Sequence, residues 1–343
     1  MKRLSRLCTC LMMLCVLFPG AVANSQEVIV LSSIQEVINW LQAENWWGEE
    51  NRDEQLTVPH TLLTGINPAW REVAQQLPVA QKKEIFYRFM LPLIVHANDL
   101  VKDRRARLIR LQAMLETGEE IPEQHMEALR AGAVLLRILR PDEAALLTPS
   151  SSQLSDVLSE ALYKLDIIPA GLALGQAAYE SGYATSRFAV QGNALFGQWT
   201  YGGKGLVPEQ QRKNLGDHRI AAFDWPFDSV RGYFINLMSH PAYEDFRRIR
   251  AGLRAEGKPF DSLVLADGLT SYSERGQEYV DTLKGIIRVN GLDIADDAVF
   301  RDEHIRFVVG TENEETASRM RADIEKMRAS GELEVIIARM RLQ

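Results

Sequence analysis

Glu180 is the residue whose setting in this sequence could do chemistry. Ala173, Gln176, Ala177 and Glu180 fall at i, i+3, i+4 and i+7, which puts the carboxyl on one helical stripe with small, buried-type residues. Gly182 stands two residues further on, where a left-handed helix stop is expected. A carboxyl at the C-terminal end of a helix opposes the macrodipole, and burial further disfavours its ionised form. Both effects raise its pKa, and a carboxylic acid still protonated near neutral pH is what general acid catalysis needs. The same spacing also suits a Glu that merely bonds the loop after the helix, and spacing alone does not choose between the two.

Other common chemistries find no footing. Gly202-Gly203-Lys204-Gly205 resembles part of a phosphate loop, but Gln198 stands where the first Gly belongs and Gly205 where Ser or Thr belongs. The six histidines, His60, His96, His125, His218, His240 and His304, show no i, i+4 pair and no short ligand spacing, so no zinc site is expected. There is no Gly-x-Ser-x-Gly elbow. Cys8, Cys10 and Cys15, the only cysteines, all lie in the first fifteen residues.

That first segment reads as a signal peptide over 1–23. Lys2, Arg3 and Arg6 precede an apolar stretch from Leu11 to Phe18, then Pro19-Gly20 and the small-x-small end Ala21-Val22-Ala23, with cleavage expected after Ala23. The apolar stretch is too short for a bilayer span, which needs roughly 20 residues, so no integral span is expected after cleavage. Its removal leaves no cysteine and 36 basic against 46 acidic residues, which moves the formal net charge from −7 to −10. Thiol chemistry is thereby excluded from the mature chain, and so acidic a chain is not expected to bind nucleic acid.

The elements that must position Glu180 are mainly helical. Of 343 residues, 46% are hydrophobic and 25% charged, which fits a folded protein, and the length suggests two units. Residues 24–147 are expected to form an all-helical accessory region. Ser33-Ile34-Gln35-Glu36 reads as a capping box, a long helix over about 79–115 is expected to kink or break at Pro92, and another helix runs over about 122–139. The basic run Lys102, Arg104, Arg105, Arg107 and Arg110 reads as a solvated face or a binding surface. Thr148 to Ser152 could be a linker or a cap. From 153 to 292, glycine and aromatic residues become dense, and catalytic groups tend to sit on such loops held by rigid elements. The extension 293–343 should form a short α/β tail, with a strand over Ile305 to Val309 and a helix over Glu315 to Arg328.

The residues around Glu180 carry a resemblance. Gly175-Gln176-Ala177-Ala178-Tyr179-Glu180-Ser181-Gly182-Tyr183, followed by Gly192-Asn193-Ala194-Leu195-Phe196-Gly197-Gln198-Trp199, resembles the glucosaminidase domain of glycoside hydrolase family 73, and more narrowly the Bax-type secreted proteins that carry it. The likeness continues through Phe223-Asp224-Trp225-Pro226, Asn236-Leu237-Met238-Ser239-His240-Pro241-Ala242-Tyr243 with Arg247, and Tyr272-Ser273-Glu274-Arg275-Gly276 to Tyr279. Many members have Gly where this chain has Ala184, and Asn where it has Ala194.

The resemblance implies a lysozyme-like helical domain that cuts the β-1,4 bond after N-acetylglucosamine in peptidoglycan, in the periplasm or outside the cell. Glu180 would be the general acid. Gln176, Tyr183, Asn193, Phe196, Asp224, Tyr243 and Tyr279 would bind substrate or shape the groove, with core packing the alternative for Phe196, Tyr243 and Tyr279. The second catalytic group is open: Glu209 occupies the place where some relatives carry a second Glu, Asp217 and Asp224 are rivals, and the sugar's own acetamido group could serve instead. Inverting enzymes separate their carboxyls by roughly 6.5–9.5 Å and retaining ones by roughly 5–5.5 Å, distances that sequence does not give. No metal or cofactor is implied. The implied partner is the peptidoglycan glycan strand, and no protein partner of the N-terminal helices is specified. A lytic transglycosylase and a non-catalytic wall-binding or scaffold protein are the competing readings.

Overall fold

A long helix with a proline inside it organises the molecule. In the computed structural model, which describes residues 28–48, 54–200, 205–207 and 219–335, Val79–Thr117 is one 39-residue helix with Pro92 inside it. Of the kink or break expected at Pro92, the break does not occur. Proline has no N–H to give the carbonyl four residues back, and here the orphaned Arg88 carbonyl accepts instead from the indole Nε1–H of the buried Trp46, 3.0 Å away. The Arg88 guanidinium also lies 4.5 Å over the Trp46 ring.

Before this helix come strand β1 (Val28–Leu31), helix α1 (Ile34–Ala43), strands β2 (Thr57–Val58) and β3 (Thr61–Leu63), and helix α2 (Trp70–Gln76). The long helix is α3. Ser33 caps α1 as expected, its Oγ accepting from Glu36 N–H, while the Glu36 carboxylate reaches back to Ser32 N–H rather than to Ser33. After α3 follow α4 (Glu123–Leu135), α5 (Pro141–Ala145), α6 (Leu154–Lys164), α7 (Ala170–Ser181) and α8 (Arg187–Gly192). A small antiparallel sheet of β4 (Trp199–Thr200), β5 (Gly205–Leu206) and β6 (Arg219–Ala221) then precedes α9 (Pro226–Ser239), α10 (Glu244–Ala255), α11 (Ser262–Leu265) and α12 (Gln277–Asn290). The tail supplies β7 (Val299–Phe300), β8 (Arg306–Gly310) and α13 (Glu314–Ser330).

The fold is mainly α, with the expected α/β tail. The N-terminal region, however, is not all-helical. β1 and β3 pair in parallel on either side of β8, and β2 pairs in parallel with β7. Val28-Ile29-Val30-Leu31 is a short apolar, β-branched run whose hydrogen-bonding partner lies in the tail. Local periodicity cannot reveal such a partner. Arg306 reinforces the junction with a two-pronged ion pair to Glu44, both contacts at 2.7 Å.

One apolar core runs through the N-terminal helices, the central helices and the tail. α3 packs against α6, α7 and α9. Asn98 of α3 donates to the Ile168 carbonyl at 2.8 Å and accepts from Ile168 N–H at 3.0 Å, fixing the chain just before α7 begins. Residues 1–23, Glu209 and Asp217 lie outside the described residues. No helix among the described residues is long and apolar enough to cross a membrane.

Candidate active site

α7 is buried along nearly its whole length, from Ala170 to Ala178. Its small residues permit this. A Cβ on Gly171 would lie 2.4 Å from the Leu292 carbonyl oxygen, and one on Gly175 would lie 3.0 Å from Leu283 of α12. Gly182 ends the helix in the left-handed conformation, with φ 59° and ψ 46°, as the sequence predicts. The left-handed path then continues through Tyr183 (φ 60°) and Ala184 (φ 61°), where side chains carry a steric cost that glycine avoids. Ser181 helps hold this turn, its Oγ donating to the Ala177 carbonyl and accepting from Ala184 N–H.

Glu180 projects from the last turn of α7, half-buried. A directional hydrogen-bond relay ends on its carboxylate. Tyr233 O–H donates to Gln176 Oε1 at 2.6 Å, Gln176 Nε2–H donates to the Tyr279 hydroxyl at 3.0 Å, and Tyr279 O–H donates to Glu180 Oε1 at 3.1 Å. Gln176, Tyr233 and Tyr279 are all buried, and buried polar groups need such partners. The sequence of donors fixes the orientation of the Gln176 amide.

Burial pushes the Glu180 carboxyl above its ordinary value, and the Tyr279 hydrogen bond pulls it back in part. The Tyr279 and Tyr233 hydroxyls are both driven up, mainly by burial and secondarily by neighbours that include the Glu180 charge, so they remain donors. With Tyr279 donating to Oε1, the proton of the neutral acid belongs on Oε2. That oxygen faces Gly197, 3.5 Å from where a Cβ would stand, and Gly197 is itself left-handed at φ 60°.

Aromatic rings brace this arrangement. Tyr272 stacks on Tyr279 with centroids 5.5 Å apart, and its hydroxyl donates to the Phe196 carbonyl. Phe196 is buried and stacks on Tyr233 at 4.1 Å. Tyr243 is buried, 5.8 Å from Tyr272, and the Glu180 charge helps raise its pKa after burial has done so. Gln176, Phe196, Tyr243 and Tyr279 therefore gather around Glu180 as the wall and floor beneath it.

Two other candidates, Tyr183 and Asn193, point elsewhere. Tyr183 packs its ring against Phe86 and Tyr87 of α3, with Lys82 and Lys83 over its face. Asn193 caps α8 in the left-handed conformation; its Oδ1 accepts from Ile66 N–H, and its Nδ2 donates to the Phe223 and Asp224 carbonyls. It thus ties the loop after α7 to the N-terminal region. The Asp224 side chain is exposed at the approach to α9.

Sequence reasoning missed Tyr233 as a member of the site. The signal was available in α9, where Tyr233 stands one helical turn from Val230 and Leu237, both fully buried, and a phenol on such a stripe needs a polar partner. Arg247 was noted only as part of the resemblance. It is buried and donates to the Leu237 and His240 carbonyls, closing the C-terminal end of α9.

The buried helix α7, its raised carboxyl and the tyrosines of α9 and α12 all lie within the stretch for which comparison with known proteins finds a match. Residues 156–292 match the Glucosaminidase family, described as mannosyl-glycoprotein endo-beta-N-acetylglucosaminidase, and this stretch is a glucosaminidase-family domain. Protein bax of Escherichia coli (strain K12) is 33% identical over 129 residues, which cover 38% of this chain and 45% of that protein. The chain thus spans less than half the length of the curated relative it matches. No solved structure matches it.

Proposed function

We propose that this protein is a peptidoglycan hydrolase, a β-N-acetylglucosaminidase that cleaves the β-1,4 bond after N-acetylglucosamine with Glu180 as general acid. The observation that carries the reading is the Glu180 carboxyl itself, raised by burial and held through Oε1 by Tyr279, which leaves Oε2 to present its proton. As the glycosidic C–O bond breaks, that proton passes to the departing oxygen, and the carboxylate left behind keeps the Tyr279 hydrogen bond. Protonation of the leaving group is the step every acid-assisted glycosidase shares. Gln176, Tyr233 and Tyr279 act in this reading as positioning residues, because they reach substrate only through Glu180.

The partner reaction, attack on the anomeric carbon, belongs to Glu209, Asp217, Asp224 or the substrate's acetamido group. The family match over 156–292 supports a glycan substrate. The basic and apolar start of the chain supports export to the periplasm or beyond, with 24–147 and 293–343 flanking the catalytic domain as its scaffold.

Digestion of purified sacculi followed by mass spectrometry of the fragments tests the proposal. Hydrolysed fragments with N-acetylglucosamine at the reducing end are expected. Anhydro-muramic ends would assign the chain to the lytic transglycosylases instead, and sacculus binding without sugar release would make it a wall-binding protein.

A further inference from the structure

Away from Glu180, α3, α4 and α9 enclose a groove of about 460 Å³. Its walls are apolar, with Leu108 from α3, Leu135 from α4 and Phe234 and Met238 from α9. Leu135 is 42% exposed, a large apolar side chain left facing solvent at the groove. Gly132 opens the α4 wall, and a Cβ placed there would meet no atom within 4 Å.

Three guanidinium groups, Arg104, Arg107 and Arg231, line the same space. Arg105, in the same run of α3, is committed to Asp166 and to the Leu162 and Leu165 carbonyls. Arg104, Arg107 and Arg231 make no ion pair among the described residues. Asp228 faces Arg231 and offsets part of the charge. Arg104 and Arg107 are exposed and Arg231 is half-buried, so water screens their charges; the Arg104 pKa is lowered by partial desolvation and then by repulsion from Arg231 and Arg107, which marks the three cations as close neighbours at the groove. His125 also lines the groove, and its buried Nδ1 has no hydrogen-bond partner among the described residues.

An apolar, concave space of this size, lined in part by convergent cations, has the dimensions and chemistry of a small-ligand site. A macromolecular partner would instead need a broad surface. We propose that the groove binds a single-chain anionic amphiphile, an alkyl chain with a carboxylate or phosphate head, whose tail lies along Leu108, Leu135, Phe234 and Met238 and whose head pairs with Arg104, Arg107 and Arg231. This accounts for part of the basic run of α3 as a binding surface. It is independent of the reaction assigned to Glu180.

Isothermal titration of the purified protein with dodecanoate, dodecyl phosphate and neutral dodecyl maltoside, each below its micelle concentration, tests the proposal. Saturable one-to-one binding of at least one anionic chain is expected, tighter than the neutral chain by on the order of tenfold or more. Comparison of carboxylate with phosphate identifies the preferred head. The double variant Arg104→Ala/Arg231→Ala should weaken binding by on the order of tenfold or more. Gly132→Leu, whose Cβ would meet no atom within 4 Å and whose added bulk enters the groove wall, should abolish binding while leaving the unfolding transition in place. Equal affinity for the neutral chain, binding that survives Gly132→Leu, or binding to anionic vesicles with none to either anionic monomer would overturn the proposal.

Discussion

The hydroxyl of Tyr279 donates to Oε1 of Glu180 across 3.1 Å, linking residues 99 positions apart in the chain. Burial drives the Glu180 pKa up and this one hydrogen bond holds it down, so the balance between them sets the pH at which this carboxyl gives up its proton.

Tyr279→Phe removes the lowering influence and leaves the raising one. The acid form of Glu180 then persists to higher pH, and the alkaline limb of kcat/KM for sacculus digestion should move upward. A limb at the same or lower pH would show that Tyr279 does not govern the titration of Glu180.

Glu180→Gln should fold and lose activity by on the order of 10²- to 10⁴-fold, the range for removal of a general acid. Its stability carries a signature too. Because the folded-state pKa of Glu180 is raised, its stabilising contribution is fully present below its unfolded value and is lost as pH rises through the folded one. Denaturant unfolding should therefore show the Gln variant gaining on the wild type between acid and neutral pH, where an unchanged difference would contradict the raised pKa.

Gln176→Leu leaves the buried Tyr233 hydroxyl without its acceptor and takes one donor from Tyr279, which keeps its bond to Glu180. Each unsatisfied buried group costs about 1–3 kcal/mol. The expected outcome is a clear drop in the thermal midpoint by calorimetry; Tyr233→Phe, which strands one amide oxygen, should cost less.

Trp46→Phe removes the indole donor that satisfies the Arg88 carbonyl opposite Pro92, with an expected loss of about 1–3 kcal/mol. In a Pro92→Ala background the new backbone N–H can serve that carbonyl, so the same substitution should cost less. A double-mutant cycle by urea unfolding measures the difference, and strict additivity would show the indole bond and the proline to be unconnected.

Gly182→Ala forces a side chain into the first of three consecutive left-handed residues and brings its Cβ to 3.3 Å from Thr185 Oγ1. The expected cost is about 1–2 kcal/mol, accompanied by lower activity because Glu180 sits two residues away. Chemical denaturation with a parallel sacculus assay checks both.

Local relations were legible from sequence because they are written within a turn or two of helix. The stripe Ala173, Gln176, Ala177 and Glu180, the stop at Gly182, the Ser33 cap and the helix Glu314–Ser330 all depend on residues at most a few positions apart. Pro92 is the instructive case, where a break is one expected outcome and the helix continues. The local rule that a proline interrupts a helix is correct for an isolated segment, and here a residue 42 positions from Arg88 supplies the missing donor.

The sequence by itself determined that the chain is mainly helical, that Glu180 closes a helix, and that the residues around it resemble those of a glucosaminidase domain. Only the tertiary structure decided which groups surround it: Tyr233 and Tyr279 come from α9 and α12 and meet α7 through Gln176, while Asn193 and Tyr183 turn toward the N-terminal region. The parallel pairing of β1 and β3 with β8 and the gathering of Arg104 and Arg107 with Arg231 were decided there as well. The reason is physical. A helical period is enforced by hydrogen bonds between residues four apart, whereas contacts between distant segments are selected by packing of the whole core and leave no spacing in the sequence to read.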